Sequence, residues 1–179
     1  MEPDEKSKMV ADLERGEQAL LESLAGVTDE IATRAPVAGK WSILECVEHL
    51  AVSEDYLFSQ IETSRFSDVP PINQSREALI VERGLNRTRN IRSPDVGIPN
   101  GRFPTLADAL RHFSVSRDRT IRFVKGCEED LRCKRTSHPI LGTVNCYETL
   151  LMMVVHPLRH VKQIEETRAA LRQLNGKPD

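Results

Sequence analysis

Aromatic side chains are scarce in this chain, at 4 % of residues, although hydrophobic residues make up 39 % of it. A core of this composition must be largely aliphatic. The chain also lacks an unbroken run of about 18 apolar residues, as a membrane-spanning helix would need. Residues 1–6 are polar and acidic, without the basic flank and apolar stretch of a signal peptide. We therefore expect a cytoplasmic protein that does not bind membranes.

An excess of basic charge is missing as well. The chain has 25 Lys and Arg against 27 Asp and Glu, which gives no electrostatic reason to expect nucleic-acid binding. We interpret the densest basic stretch as a solvated face; it comprises Arg83, Arg87, Arg89 and Arg92. No Cys-x-x-Cys spacing occurs, which favours reduced thiols over a disulfide framework for Cys46, Cys127, Cys133 and Cys146.

Apolar residues recur at helical spacing in four long segments. The first covers about 8–25, and Thr28 then caps a short helical turn. The second begins at Ser42, which forms a capping box with Glu45. The third begins near Thr105, and the fourth covers about 143–174. We find no alternating strand pattern. The sequence therefore predicts an all-α fold, a four-helix up-down bundle in a single domain of residues 1–179.

Prolines and glycines are concentrated between residues 68 and 104, in the connection between helices 2 and 3. Only 75–89 looks helical within it, and Gly84 weakens that helix. A connection of this length in a compact domain is typical of a lid or a mobile segment. We interpret 68–104 as a partly helical insertion that covers a functional site.

Three of the five histidines form a candidate metal site. His156 and His160 are four residues apart in the fourth helix, so both side chains lie on one face and could bind one ion. His49 borders the apolar stripe of the second helix. Two structural alternatives remain. His156 and His160 are unrelated histidines on one helix face, or His49 bonds a backbone carbonyl. Three histidines would leave open coordination positions, as in catalytic sites.

Two motifs resemble the DinB-like family of helical bundles. Residues 39–50 are similar to its first motif, in which a Trp-Ser helix start leads to a His-Leu pair. Residues 138–142 and 156–164 are similar to its second motif, a His-Pro-x-x-Gly turn followed by His-x-x-x-His and Gln-Ile. The resemblance covers roughly residues 8–172, with 68–104 the least matched part.

This resemblance implies a bundle in which His49, His156 and His160 face one divalent metal ion, with nickel, zinc or iron as the candidates. Gln163 is on the same helix face and is a candidate to hydrogen-bond one of the ligand histidines. The family also implies frequent homodimers and an association with damage-inducible genes, which is not evidence of DNA chemistry. Pro157 departs from an ideal helix, because it removes the hydrogen bond to the carbonyl of Met153. A bend there would re-aim His156 relative to His160.

Three hypotheses for function follow. The first, which the resemblance implies because family members include thiol-dependent transferases, is a metal-dependent enzyme for a small-molecule substrate, either a transferase that uses a low-molecular-weight thiol or a hydrolase. Its catalytic residues are unknown, since no general base is evident. The second is a non-enzymatic bundle that binds a metal or a small ligand as a sensor or carrier. The third is a family member whose histidines are only structural.

Overall fold

Helices account for most of the computed structural model, which describes residues 1–67, 74–88 and 92–175. Within these ranges the helices are α1 (Pro3–Ser23), α2 (Asp29–Ala32), α3 (Ile43–Glu62), α4 (Gln74–Leu85), α5 (Leu106–Gly126) and α6 (Cys146–Asn175). The long helices α1, α3, α5 and α6 are the four that the apolar periodicity predicts. The all-α bundle is therefore confirmed. None of the described helices is both long and apolar enough to cross a membrane.

Local capping explains where three helices begin. The backbone N–H of Glu45 donates to Ser42 Oγ at 3.2 Å, and that of Ser42 donates to Glu45 Oε2 at 2.7 Å, which confirms the capping box. Thr105 accepts the N–H of Asp108 at 3.1 Å, and Thr28 accepts that of Ile31 at 3.4 Å. Each cap satisfies a backbone donor that lacks a partner within its helix.

The packing order of the long helices differs from their order in the chain. Helix α1 packs against α5 and α6, and α3 packs against the same two helices. The consecutive helices α1 and α3 therefore face each other across the bundle, as do α5 and α6. In a simple up-down bundle consecutive helices would be neighbours. This arrangement places α3 directly beside α6, the two helices that carry the candidate metal ligands.

Buried side chains fill the bundle in two main clusters. One cluster includes Leu13, Leu57, Leu150 and Met153, and the other includes Leu20, Leu50, Phe113 and Ile164. Phe58 and Phe113 are the aromatic side chains in them that are fully buried, so the core is aliphatic as the composition predicts. All four cysteines are free, three of them buried and Cys133 half-buried.

A small antiparallel sheet corrects the expectation that the chain has no strands. Strands β1 (Arg65–Phe66), β2 (Lys134–His138) and β3 (Gly142–Asn145) pair in that order. Residues 143–145 consequently belong to β3 and not to the last helix. Helix α6 begins at Cys146, where Asn145 and Glu148 bond each other's backbone N–H at 2.7 and 2.9 Å. These short strands show no alternation of burial, so periodicity could not reveal them.

The described parts of the proline-rich connection are more ordered than their composition suggests. Helix α4 packs along α6, and a short 3₁₀ turn at Asp95–Gly97 packs on α3. Three backbone N–H groups, those of Asn100, Gly101 and Arg102, donate to the buried carboxylate of Glu48 at 2.8 to 3.2 Å. The expected lid is therefore anchored along 95–102, while residues 68–73 and 89–91 lie outside the described part of the chain.

Candidate metal centre

His49 lies on the inner face of α3, two turns after the Ser42 cap, and is 6 % exposed. Its Nδ1 lies 2.6 Å from the carbonyl oxygen of Gly97. An acceptor at this position requires the proton on Nδ1, which leaves the lone pair of Nε2 facing the cavity. A Cβ at residue 97 would lie 3.0 Å from two atoms of the imidazole, so glycine permits this close approach.

The two histidines of α6 complete the cluster. The Nε2 of His156 lies 2.9 Å from that of His49 and 3.1 Å from that of His160. One ring nitrogen from each of the three histidines lies within 4.8 Å of the others. The structure therefore brings together all three predicted site residues. The contact of His49 with a backbone carbonyl is present, and its other nitrogen faces the cluster, where metal binding stays a prediction.

The donor set fits a divalent ion. Ring nitrogens about 2 Å from a tetrahedral zinc ion lie roughly 3.3 Å apart, close to the 2.9 and 3.1 Å that separate His156 Nε2 from the other two. With the proton of His49 on Nδ1, its Nε2 offers a lone pair to His156 Nε2, which also contacts His160 Nε2. The one proton that His156 Nε2 can carry bonds only one of these two neighbours. Converging lone pairs of this kind are what a cation satisfies.

Burial keeps all three imidazoles neutral. It lowers the pKa of His49, against the bond to the Gly97 carbonyl, which favours the charged form. Burial also holds the pKa of His156 and that of His160 well below the usual range, with the neighbouring imidazoles adding to the effect. Neutral imidazole is the form that binds metal, so the direction of these pKa shifts is the one that a metal site requires.

Pro157 does not separate the two candidate ligands of α6, His156 and His160, because α6 remains one continuous helix from Cys146 to Asn175. The carbonyl of Met153, which Pro157 deprives of its helical donor, accepts Nη2 of Arg117 at 2.9 Å. The same Nη2 donates to Glu54 at 2.9 Å, and Arg117 is fully buried. The expected cost of the proline is thus offset by a side chain from α5.

A cavity of ≈ 1150 Å³ adjoins the three histidines. Residues of α3, α4, α6, the 92–97 segment and the β2–β3 turn line it. The indole of Trp41 lies 5.0 Å from the His49 ring and stacks at 6.3 Å with His160, which shields the cluster from one side. A space of this size is typical of a small-molecule binding site, and it lies beside the three candidate ligands.

The remaining predicted residues lie at or outside this cavity. Gln163 lines it, but its side-chain oxygen accepts a hydrogen bond from Arg87 at 3.0 Å and not from a histidine. His138 lines the cavity too, and its Nδ1 accepts the N–H groups of Ile140 and Leu141, the local role that its place before Pro139 suggests. His112 is half-exposed and bonds Asp55.

Sequence reasoning missed Gly97, Glu48 and the Arg117–Glu54 pair. These contacts join residues 48 to 63 positions apart, and helical periodicity carries no information on such distances. The one available signal was Glu48 itself, a charged residue directly before His49 on a helix face that must be buried.

Comparisons with known proteins agree with this fold. A profile described as the DinB superfamily matches residues 12–164. The uncharacterized protein YuaE of Bacillus subtilis is 23 % identical over 145 residues, covering 81 % of this chain and 88 % of YuaE. YfiT from Bacillus subtilis, described as a probable metal-dependent hydrolase with an unusual four-helix bundle topology, has a TM-score of 0.59 at 16 % identity, covering 99 % of this chain and 91 % of YfiT. The four-helix bundle protein TT2238 has a TM-score of 0.57 at 17 % identity, covering 90 % and 98 %.

Proposed function

Since the chain belongs to the DinB superfamily, we propose that it is a divalent-metal-dependent enzyme whose ligands are His49, His156 and His160. The observation that carries the proposal is the convergence of three Nε2 atoms beside a cavity. A divalent ion there would polarise a substrate or favour the anion of a thiol or water. Three protein ligands leave coordination positions for those molecules.

The chain's own groups would support this chemistry in defined ways. The Gly97 carbonyl holds the proton of His49 on Nδ1, which fixes the tautomer and the direction of the ring. Trp41 shields His49 and His160 on one side. Glu166 is the acidic residue among those lining the cavity, and it is paired with Arg87 at 2.8 Å. An external thiol or water is therefore a better nucleophile candidate than a side chain.

The cavity volume favours a transferase that uses a small thiol over a hydrolase. Sites for one drug-sized ligand occupy about 300–1000 Å³, and the cavity here, at ≈ 1150 Å³, leaves room for a co-substrate. The similarity of the fold to YfiT, described as a probable metal-dependent hydrolase, keeps hydrolysis as the second candidate.

Elemental analysis of the purified protein tests the metal site. We expect about one divalent ion per chain, nickel, zinc or iron, and its loss in His49→Ala, His156→Ala and His160→Ala. His112→Ala is the matched control, since this histidine lies on the surface away from the cluster. Equal metal content in the wild type and the His156→Ala/His160→Ala double variant would refute the proposal.

Turnover assays test the reaction. The metal-loaded protein is incubated with an electrophilic substrate, such as an alkyl halide, and a panel of low-molecular-weight thiols, and an activated ester is assayed without thiol. Thioether formation that requires the thiol supports a transferase, and ester cleavage without thiol supports a hydrolase. Tight metal binding with neither activity would favour the alternative, a non-enzymatic sensor or carrier.

A further inference from the structure

Cationic side chains surround the cavity although the whole chain is slightly acidic, with a net charge of -2. Glu166 is the acidic residue in the described lining, against five cationic ones: Lys40, Arg83, Arg87, Arg92 and Arg159. They come from the α2–α3 connection, α4 and its end, the 92–97 segment and α6. The sequence pattern predicts a solvated face for the basic stretch of residues 83–92. Three of its members, Arg83, Arg87 and Arg92, line the cavity beside the candidate metal site.

Several of these charges have no acidic partner among the residues that the structure describes. Arg87 is paired with Glu166 and bonds Gln163, whereas Lys40, Arg83 and Arg92 have no ion pair within the described residues. Burial and the nearby Arg87 lower the pKa of Arg159, a sign that positive charge is crowded here. A cavity lined by charges of one sign concentrates ligands of the opposite sign.

Apolar side chains make up much of the rest of the cavity. Trp41, Ile80 and Met152 lie within it, and several aliphatic side chains of its lining are exposed to solvent: Val37, Val96, Ile140 and Leu141. Exposed apolar groups gathered at a cavity are typical of a ligand-binding surface. A ligand that matches both features has an apolar body and an anionic group.

We propose that the substrate or co-substrate of this site carries a carboxylate or phosphate group on a partly apolar body, and that Arg83, Arg92 and Lys40 bind that anion. The guanidinium groups of Arg83 and Arg92 suit either anion, since their planar donors match pairs of oxygens. The anion would lie against Arg83, Arg92 and Lys40, which we call the cationic wall, while the reactive end of the molecule reaches the histidines. This inference rests on the proposed function for the reaction but not for the binding of the anion.

Nuclear magnetic resonance titrations with phenylacetate and its neutral analogue phenylacetamide test the proposal, because the two share an apolar body. We expect the metal-loaded protein to bind phenylacetate at least fivefold more tightly than phenylacetamide. This preference should be smaller at high salt. Arg83→Gln/Arg92→Gln should abolish the preference, and Arg83→Lys/Arg92→Lys should retain part of it. The matched control is Arg172→Gln, an exposed arginine of α6 outside the cavity lining. Phenyl phosphate in the same series decides between phosphate and carboxylate.

The His156→Ala variant separates this inference from the proposed function. A preference for phenylacetate that persists in His156→Ala and disappears in Arg83→Gln/Arg92→Gln supports the cationic wall, even if no metal-dependent reaction is found. A preference that disappears in His156→Ala but persists in the double arginine variant would show that the anion binds the metal, and would overturn the inference. Equal affinity of the wild type for acid and amide would overturn it as well.

Discussion

At the scale of single residues, Arg117 replaces the hydrogen bond that Pro157 removes from helix α6. Arg117 Nη2 bridges the Met153 carbonyl and the carboxylate of Glu54, which also accepts the hydroxyl of Thr120 at 3.0 Å. The network links α3, α5 and α6 one turn from His156. Removal of one partner from such a network leaves a buried charge or carbonyl unsatisfied, which is strongly destabilising.

This network predicts a coupling between two substitutions. Arg117→Met leaves the buried carboxylate of Glu54 without its cation and the Met153 carbonyl without a donor, so it should lower the free energy of unfolding by about 3–5 kcal/mol. Pro157→Ala restores a backbone N–H for that carbonyl, so it should stabilise the Arg117→Met protein by about 1 kcal/mol more than the wild type. Urea denaturation of the four proteins measures this, with exposed Arg122→Met as the control. Equal effects of Pro157→Ala in both backgrounds would contradict the account.

Gly97 determines which nitrogen of His49 carries the proton, because its carbonyl accepts the N–H of Nδ1. In Gly97→Ala the new methyl group would press against the imidazole, 3.0 Å away, and displace the carbonyl that fixes the tautomer. We expect metal affinity to fall about tenfold, in the range found for lost outer-shell partners. Competition with a chelator measures it. Gly126→Ala is the control because a Cβ there meets nothing within 4 Å, and an equal loss in that variant would rule out the contact as the cause.

At the scale of secondary-structure elements, α4 depends on a close contact with α6. A Cβ at Gly84 would overlap the side chain of Val155, so the glycine that weakens this helix by propensity permits its packing. Gly84→Ala should therefore lower stability by about 1–3 kcal/mol instead of raising it. Val155→Ala should rescue the variant in thermal melting. A Gly84→Ala protein that melts above the wild type would show that α4 is free to move away.

Local signals explain which elements could be predicted from the sequence. Ser42 and Glu45 define the start of α3 because both partners of the cap lie within one turn. The i, i+4 spacing of His156 and His160 predicts their shared face for the same reason. The strands were missed because Arg65–Phe66 pairs with residues almost 70 positions away, at Lys134 and Arg135. No short-range pattern records such a partner.

At the scale of the whole molecule, the buried histidines link stability to pH. Burial lowers the pKa of His49, His156 and His160 below the usual 6.5. As the pH falls below 6.5, the unfolded chain takes up protons before the folded chain does. Stability from these groups is thus fully present above pH 6.5 and decreases below it, by up to about 1.4 kcal/mol per pH unit for each histidine.

Denaturation of the metal-free protein between neutral and mildly acidic pH measures this dependence. We expect the free energy of unfolding to decrease on acidification, and to decrease less steeply in His156→Gln/His160→Gln. Identical slopes for the two proteins would show that other groups cause the effect. The homodimer and the cytoplasmic location, which the family resemblance and the composition suggest, stay predictions.

Two consecutive residues of α3 hold the loop of residues 97–102, one as a hydrogen-bond acceptor and the other as a donor. Glu48 accepts the N–H groups of residues 100–102, and His49 donates to the carbonyl of Gly97. Release of this loop would therefore be a single cooperative opening that also frees Nδ1 of His49. An open loop would admit a small molecule to the cavity, but it would no longer hold the proton of His49 on Nδ1. Either ring nitrogen could then carry the proton, which makes His49 a poorer metal ligand. Metal binding should then favour the closed loop, and slower amide hydrogen exchange at residues 100–102 on adding zinc would report that coupling.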